Sequence, residues 1–502
     1  MYDSLFDSTA AEVPAHPRRQ PEYGGAVTPD NLKSIFRRCA DFESRTLRVG
    51  QCELFLCWLD GLVDSLETAE TLLRPLADQM LGEAGEEACL QALLFGAVSC
   101  PAVARRDDPD ALSFDLTHGR CALVFPGLKC ALSFDLRGGA CRTVGEPTLE
   151  KSLKGSRDSF VETLRANTAL LRRHLATPRL KIAEHTLGRK SHTRLAVVFV
   201  EDVADPAVVR ELARRLAGID VDGVLSLGVL EEQLADRPLS PFPQLLHTEK
   251  PDRLARWLLD GRVGLLLDGV PIALVLPVSF SAFLRVGSEG SMNWLSATLL
   301  TALRYAALFL GLYLPALYAA VASFHQEMIP TKLLLSIVEA KRDVPFSTSF
   351  ELIGMLLAFA LLQEAGLRLP DPVGDTVSII GALIVGQAAV EARLVSPIAI
   401  IVVAVSGIAC YALPSQDLGA AVRLWRALLL LGGICAGLYG VALLSCLLAV
   451  ELSSLESFGR SYTAPLSGEE RFGMAALLVS PPLFARKLRD RALNTPDRRR
   501  QR

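Results

Sequence analysis

The sequence predicts an α/β soluble N-terminal domain of two related subdomains, followed by an all-α polytopic membrane domain. Three observations carry this. Charged residues run throughout 1 to about 290, whereas 295–455 holds four long apolar runs with few charges. Each run approaches the roughly 20 residues that a helix needs to cross a hydrocarbon core of about 30 Å. A strand, turn, helix and hairpin pattern occurs twice in the charged half. The mean hydropathy of +0.32 over 502 residues therefore averages two unlike halves.

The N-terminal "MYDSLFDSTAAEVPAHPRRQPEYGG" is polar and Pro-rich, which predicts a disordered tail over 1–29 and no signal peptide. The first α/β subdomain is placed at 30–150. Within it, "ELFLCWLDGLVDSLETAETLLRPL" (53–76) reads as strand, acidic turn and helix, and "GRCALVFPGLKCALSFDL" (119–136) as a hairpin. A linker helix opens the second segment, 151–290. Phe160, Leu164, Thr168, Leu171 and Leu175 line one face of it, and Arg172, Arg173 and His174 sit near its end, where positive charge suits the helix dipole.

The second subdomain follows. "LAVVFVEDVADPAVVRELARRLAGIDVDGVLS" (195–226) predicts a strand over Leu195–Val200, a turn at "EDVADP", a helix presenting Val208, Leu212 and Leu216, and a closing strand. "GRVGLLLDGVPIALVLPVSF" (261–280) predicts a hairpin about Gly269. At a constant shift of 142 residues, Asp60 falls on Asp202, Gly119 and Arg120 on Gly261 and Arg262, Gly127 on Gly269, and Ala131 and Leu132 on Ala273 and Leu274. The two subdomains thus read as a duplication.

The membrane domain is placed at 291–455, with spans at about 295–323, 375–391, 397–413 and 422–452. The stretch 346–366 is apolar but bounded by Glu351 and Glu364, which predicts an interfacial or re-entrant segment. The remainder, 456–502, is a basic cytoplasmic tail: 486–502 has eight basic and two acidic residues, a bias that favours the inside. With the N-domain also cytoplasmic, the 414–421 loop falls outside.

One stretch raises a question of its own. In "PVGDTVSIIGALIVGQAAV" (372–390), Gly374, Ser378, Ala382 and Gly386 recur every four positions. Small residues at that spacing let membrane helices approach closely, so this face predicts contact with another helix. That helix belongs either to the same chain or to a further copy in a pore. Gln387 needs a partner or water at that depth.

Several function classes are excluded by what the sequence lacks. A net charge of −3 does not suit nucleic acid, and eleven cysteines without CxxC or Cys/His spacing do not suit a disulfide scaffold or metal site. There is no P-loop, GxGxxG, GxSxG or HExxH, and His185 and His192 have no metal-ligand partner nearby in sequence. "LDG" at 59–61 and 267–269 is ordinary turn chemistry. No enzyme and no cofactor are expected.

Five stretches then carry a resemblance: "DFESRTLRVG…LDGLVD" (41–64), "GSRDSFVETLRANTALLRR" (155–173), "SPFPQLLHTEKPDRLARWLLDGRVGLLLDGVPIALVLP" (240–277), "LRYAALFLGLYLPALYAAVASFHQEMIPTKLLLSI" (303–337) and "PVGDTVSIIGALIVGQAAVEARLVSPIAIIVVAVSGIACYALPS" (372–415). The chain resembles the A subunit of spore germinant receptors, the GerA / stage V sporulation AF family, from about residue 30 to 475. The resemblance implies a multi-pass protein of the spore inner membrane, in contact with lipid. It implies a transporter-like B subunit and a lipoprotein C subunit as partners. It also implies a homo-oligomer, a pentamer in the family's account, forming a cation channel that opens at germination. On that account the pore or gate candidates are Ser378, Gly381, Ala382, Val385 and Gln387. Family carboxylates are replaced here by Leu356 and Ala360, and Arg393 stands where a Gly is usual. The alternatives are an AF-type channel amplifying ion or dipicolinic acid release, and a non-conducting membrane scaffold.

Overall fold

The computed structural model describes residues 22–500 apart from 51, 79–84, 97, 101, 139–146, 148–149, 151–154, 288, 290–291, 369–385, 466–476 and 480–481. The soluble half contains two five-stranded antiparallel sheets. Strands β1 (Phe42–Val49), β2 (Cys52–Leu59), β3 (Val103–Arg106), β4 (Cys121–Phe125) and β5 (Cys130–Phe134) lie in the order β1-β2-β4-β5-β3. Strands β6 (Leu180–Leu187), β7 (Thr193–Val200), β8 (Leu246–Thr248), β9 (Val263–Leu267) and β10 (Ala273–Leu276) repeat it as β6-β7-β9-β10-β8. The central strands are buried on both faces, which is why they read as continuous apolar runs rather than alternating ones. The described helices that matter below are α1 (Pro29–Ile35), α2 (Pro109–Thr117), α3 (Leu164–His174), α4 (Pro206–Ala217) and α5 (Pro251–Asp260).

The duplication holds at the level of register. Leu123 and Val124 face Leu132 and Ala131, and 142 residues on Leu265 and Leu266 face Leu274 and Ala273. The constant shift fails by one residue at the neighbouring strand. Phe55 pairs with Val124, but Ala196 pairs with Leu266, so Asp60 corresponds to Glu201 rather than to Asp202. The edge confirms this: the Asp60 amide donates to the Asp41 carbonyl as the Glu201 amide donates to Arg179.

Four expectations need correction. The closing strand of 195–226 is absent: Val224 enters the core from an irregular stretch whose Asp222 carbonyl accepts from the Lys190 amide. The edge strands β1, β3, β6 and β8 were not foreseen, because one-sided burial and short length leave little periodicity to read. Residues 22–28 are not a free tail; the amides of Glu22 and Tyr23 donate to Asp110, Val27 is fully buried, and Thr28 caps α1. Residues 1–21 lie outside the described residues. Finally, the basic tail folds back on the second subdomain. Phe458 joins its core, Tyr462 is buried with its hydroxyl donating to Pro243, Thr495 is buried, and Arg489 donates to the Leu259 carbonyl.

The C-terminal half is helical: α6 (Trp294–Phe324), α7 (Thr331–Lys341), α8 (Thr348–Arg368), α9 (Pro397–Tyr411) and α10 (Gln416–Ser454). By length and composition, three of the described helices can cross a membrane: α6, α8 over Thr348–Ala365, and α10. The 346–366 stretch, expected to be interfacial or re-entrant, falls largely within α8, Thr348–Arg368. The 422–452 run, read as one span, is broken at Ala436 and Gly437, where the backbone leaves the helical region. Residues eight apart in a straight helix are separated by about 12 Å. Yet a Cβ added to Gly440 would lie 2.1 Å from the Gly432 carbonyl oxygen. The two halves of α10, 416–435 and 438–454, therefore fold onto each other as a helical hairpin.

Candidate functional site

The hairpin and α6 together make a two-ended unit. Near the soluble half, Arg304 of α6 donates to the Leu284 carbonyl and pairs with Glu289. At the far end, Phe324 and His325 pack on Gly437 at the hairpin tip. Helix α9 runs antiparallel to α6: Ala399 shares a cluster with Ala319 at the far end, and Cys410 meets Gly311 further back. Helix α8 starts at the far end, where Glu351 accepts from the Ser396 amide at 2.9 Å and faces Lys341 at 3.3 Å. It returns along α9, with Phe359 against Gly407 and Tyr411.

A polar chain crosses the middle of this unit, and its origin is readable from the residues. Pro315 has no amide hydrogen, so the carbonyl four residues before it loses its helical partner. That carbonyl is Gly311, and the Ser406 hydroxyl of α9 donates to it at 3.0 Å. Arg426 of α10 in turn donates to Ser406 at 3.3 Å and lies 3.7 Å from the Cys410 sulfur. Arg426 is buried. An intramembrane charge is costly, faces a helix interior when present, and is a functional-site candidate by default. Sequence reading passed over it, although "VRLWRALLLL" shows a basic residue inside an apolar run.

Both ends of the hairpin are tied to the second subdomain. At its start, Asp417 lies 3.0 Å from Nδ1 of His247, whose Nε2 meets Glu231. At its end, Ser240 donates to Glu451 at 2.9 Å and Arg237 donates to Ser454 at 2.7 Å. The 414–421 loop, expected on the opposite side from the N-domain, therefore sits against it. The His247 junction borders a cavity of about 300 Å³ that is also lined by Glu150, Arg253, Phe283 and Ser415.

Burial alone lowers the His247 pKa, but its hydrogen bonds to Asp417 and Glu231 and their charges outweigh that, and it is pushed up to about 10. The folded value lies above the ordinary value of about 6.5. The junction's stabilisation is then fully present below pH about 6.5 and is lost as pH rises through about 10. The melting temperature of wild type should exceed that of His247→Gln at pH 6.5, and the gap should close towards pH 10. A constant gap across that window would mean that the charge on His247 is not what ties the hairpin down.

The residues singled out from the sequence divide in two. Gly374, Ser378, Gly381, Ala382 and Val385 lie outside the described residues. Gly386 and Gln387 open a helical stretch at 386–391. Among the described residues a Cβ on Gly386 would meet nothing within 4 Å, and Gln387 is exposed. Just beyond, Arg393 has a φ of +54°, the left-handed region that favours glycine, and pairs with Asp343 at 2.7 Å. Among the described residues no group of three or more His, Cys, Asp or Glu side chains is placed to hold a metal ion.

Residues 30–492 match the family model of the Bacillus/Clostridium GerA spore germination protein. Spore germination protein B1 of Bacillus subtilis (strain 168) is 33% identical over 479 residues, which is 94% of this chain and 98% of that protein. Spore germination protein GerLA of Bacillus cereus is 34% identical over 437 residues, 87% of this chain and 85% of that protein. Among solved structures, the N-terminal domain of the A subunit of the Bacillus megaterium spore germinant receptor GerK3 is 25% identical, with a TM-score of 0.40, and covers 51% of this chain and 98% of that one.

Proposed function

Because the chain belongs to the GerA family of spore germination proteins, we propose that it is the A subunit of a nutrient germinant receptor that oligomerises into a cation channel of the spore inner membrane. It works with a transporter-like B subunit and a lipoprotein C subunit. The soluble half and the C-terminus share the cytoplasmic side, and the α10 hairpin couples the soluble half to the membrane helices.

One observation carries the oligomeric part of this reading. The helical stretch at 386–391 ends a run of small residues every four positions, yet among the described residues nothing lies within 4 Å of a Cβ built on Gly386. A bare face of this kind is suited to close approach by a second helix, and its partner is then another copy. A ring of such helices forms a narrow apolar constriction, which gates by dewetting, with Gln387 as a polar ring for ions. Ser378, Gly381, Ala382 and Val385 complete the proposed lining.

The test is potassium flux from liposomes carrying the purified chain. Val385→Ala should raise flux and Val385→Trp should block it. Absence of flux from folded, oligomeric protein would overturn the channel reading in favour of a scaffold. Flux that ignores residue 385 would move the pore to another helix.

A further inference from the structure

The duplication exposes an arginine whose partners have been removed. In the first subdomain Arg120 lies 3.8 Å from Asp115 and 3.7 Å from Asp135, and donates to Ser133 at 3.4 Å. Its counterpart is Arg262, held by the same backbone contact: the Arg120 amide donates to Asp115, and the Arg262 amide to Trp257. At the same shift Asp115, Ser133 and Asp135 become Trp257, Val275 and Pro277. Every group that satisfies Arg120 is therefore apolar around Arg262. Accordingly, Nε and Nη1 of Arg262 are buried with no hydrogen-bond partner among the described residues.

These donors point into a space walled by positive charge. Among the described residues, a cavity of about 440 Å³ is lined by seven arginines and two carboxylates, Asp260 and Asp490. An adjoining one of about 160 Å³ shares Arg262, Arg285 and Arg486 and adds Arg253, Arg256 and Glu289, which pairs with Arg304. Arg262 and Arg285 come from the second subdomain and its lead into α6; Arg486, Arg498 and Arg500 come from the folded-back C-terminal segment. The carboxylates are already engaged: Asp260 pairs with Arg500 at 2.7 Å, and Asp490 accepts from the Ala492 amide. Burial, with Arg285 and Arg500 nearby, holds Arg486 below the ordinary arginine range. A buried guanidinium with unmet donors is expensive, and the arrangement becomes favourable once an anion with several acceptor oxygens occupies the space.

We propose that this cavity binds a phosphate-type oxyanion, which pins the C-terminal segment 482–500 to the second subdomain beside the start of α6. The same chemistry is offered by free phosphate and by the headgroup of an anionic phospholipid. The site sits where the chain enters the membrane helices, within reach of both sources.

Hydrogen exchange of residues 482–500 in the full chain tests this in nanodiscs. Inorganic phosphate added to phosphatidylcholine nanodiscs should slow exchange several-fold if the ligand is free phosphate, while chloride at equal ionic strength should not. Phosphatidylglycerol nanodiscs without phosphate should slow it if the ligand is a lipid headgroup. Either protection should be lost in Arg262→Gln and retained in Arg210→Gln, an exposed arginine elsewhere. Arg498→Gln, at an exposed position on the cavity rim, carries the same test should Arg262→Gln fail to fold. No protection by either source, or protection equal in wild type and both cavity variants, overturns the proposal.

Discussion

Arg172→Leu should destabilise the soluble half by about 3–5 kcal/mol, the usual cost of breaking a buried ion pair from one side. Arg172 has no exposed side-chain surface, and Asp41 only 5%. The guanidinium donates through Nε and Nη2 to the two Asp41 oxygens at 2.8 and 2.9 Å, and through Nη1 to the Thr177 carbonyl at 2.8 Å. Removing it strands a carboxylate with neither water nor partner. The loss also falls on a seam. Beside this pair the Ala40 amide donates to Ile182, the Ile182 amide donates to Arg38, and Lys181 donates to the Ile35 carbonyl. These contacts join the edge of the first subdomain to the edge of the second. Pulse proteolysis across a urea series would read the shift on the full chain. The double variant Arg172→Leu with Asp41→Leu should recover most of the loss, because no unpaired charge then remains buried. A single-variant loss below about 1 kcal/mol would mean that water reaches the pair.

Gly440→Val should collapse the yield of folded, monodisperse protein. Its added Cβ would fall 2.1 Å from a backbone oxygen, that of Gly432, and a backbone atom cannot swing aside as a side chain can. Gly433 is nearly as tight, 2.7 Å from the Ala316 carbonyl of α6. Overpacking typically costs about 1–3 kcal/mol, and more where the neighbours cannot relax. Opening the hairpin also prevents the Asp417 and Glu451 ties from being held together, so the soluble half would detach at one end. Gly354→Ala in α8 is the control, since among the described residues a Cβ there meets nothing within 4 Å. It should leave the yield of folded protein intact. Equal yields for Gly440→Val and wild type would show that the hairpin is not closely packed.

The contrast between Gly440 and Gly386 shows where sequence reading stopped. Both are small residues in apolar runs and look alike on the page. One is small because two helices of this chain cross there; the other has nothing within 4 Å of its Cβ position among the described residues. Spacing identifies a face, and only coordinates identify what covers it.

What the sequence determined by itself was local or periodic. The strands of continuous apolar residues, the α4 stripe of Val208, Leu212 and Leu216, the two hairpins and the apolar runs all follow from residue patterns a few positions long. The duplication was legible too, since its hairpins keep the same register 142 residues apart. Tertiary structure alone decided the rest. The turn at Gly437 reverses α10 without any proline or polar loop to announce it. His247 and Asp417 are far apart in sequence, and so are Arg172 and Asp41, and each pair is joined by packing of whole elements. From its charge the segment 456–502 reads as a basic cytoplasmic tail. It is instead held by Phe458, Tyr462 and Thr495, whose burial depends on a surface that exists only once the second subdomain has folded.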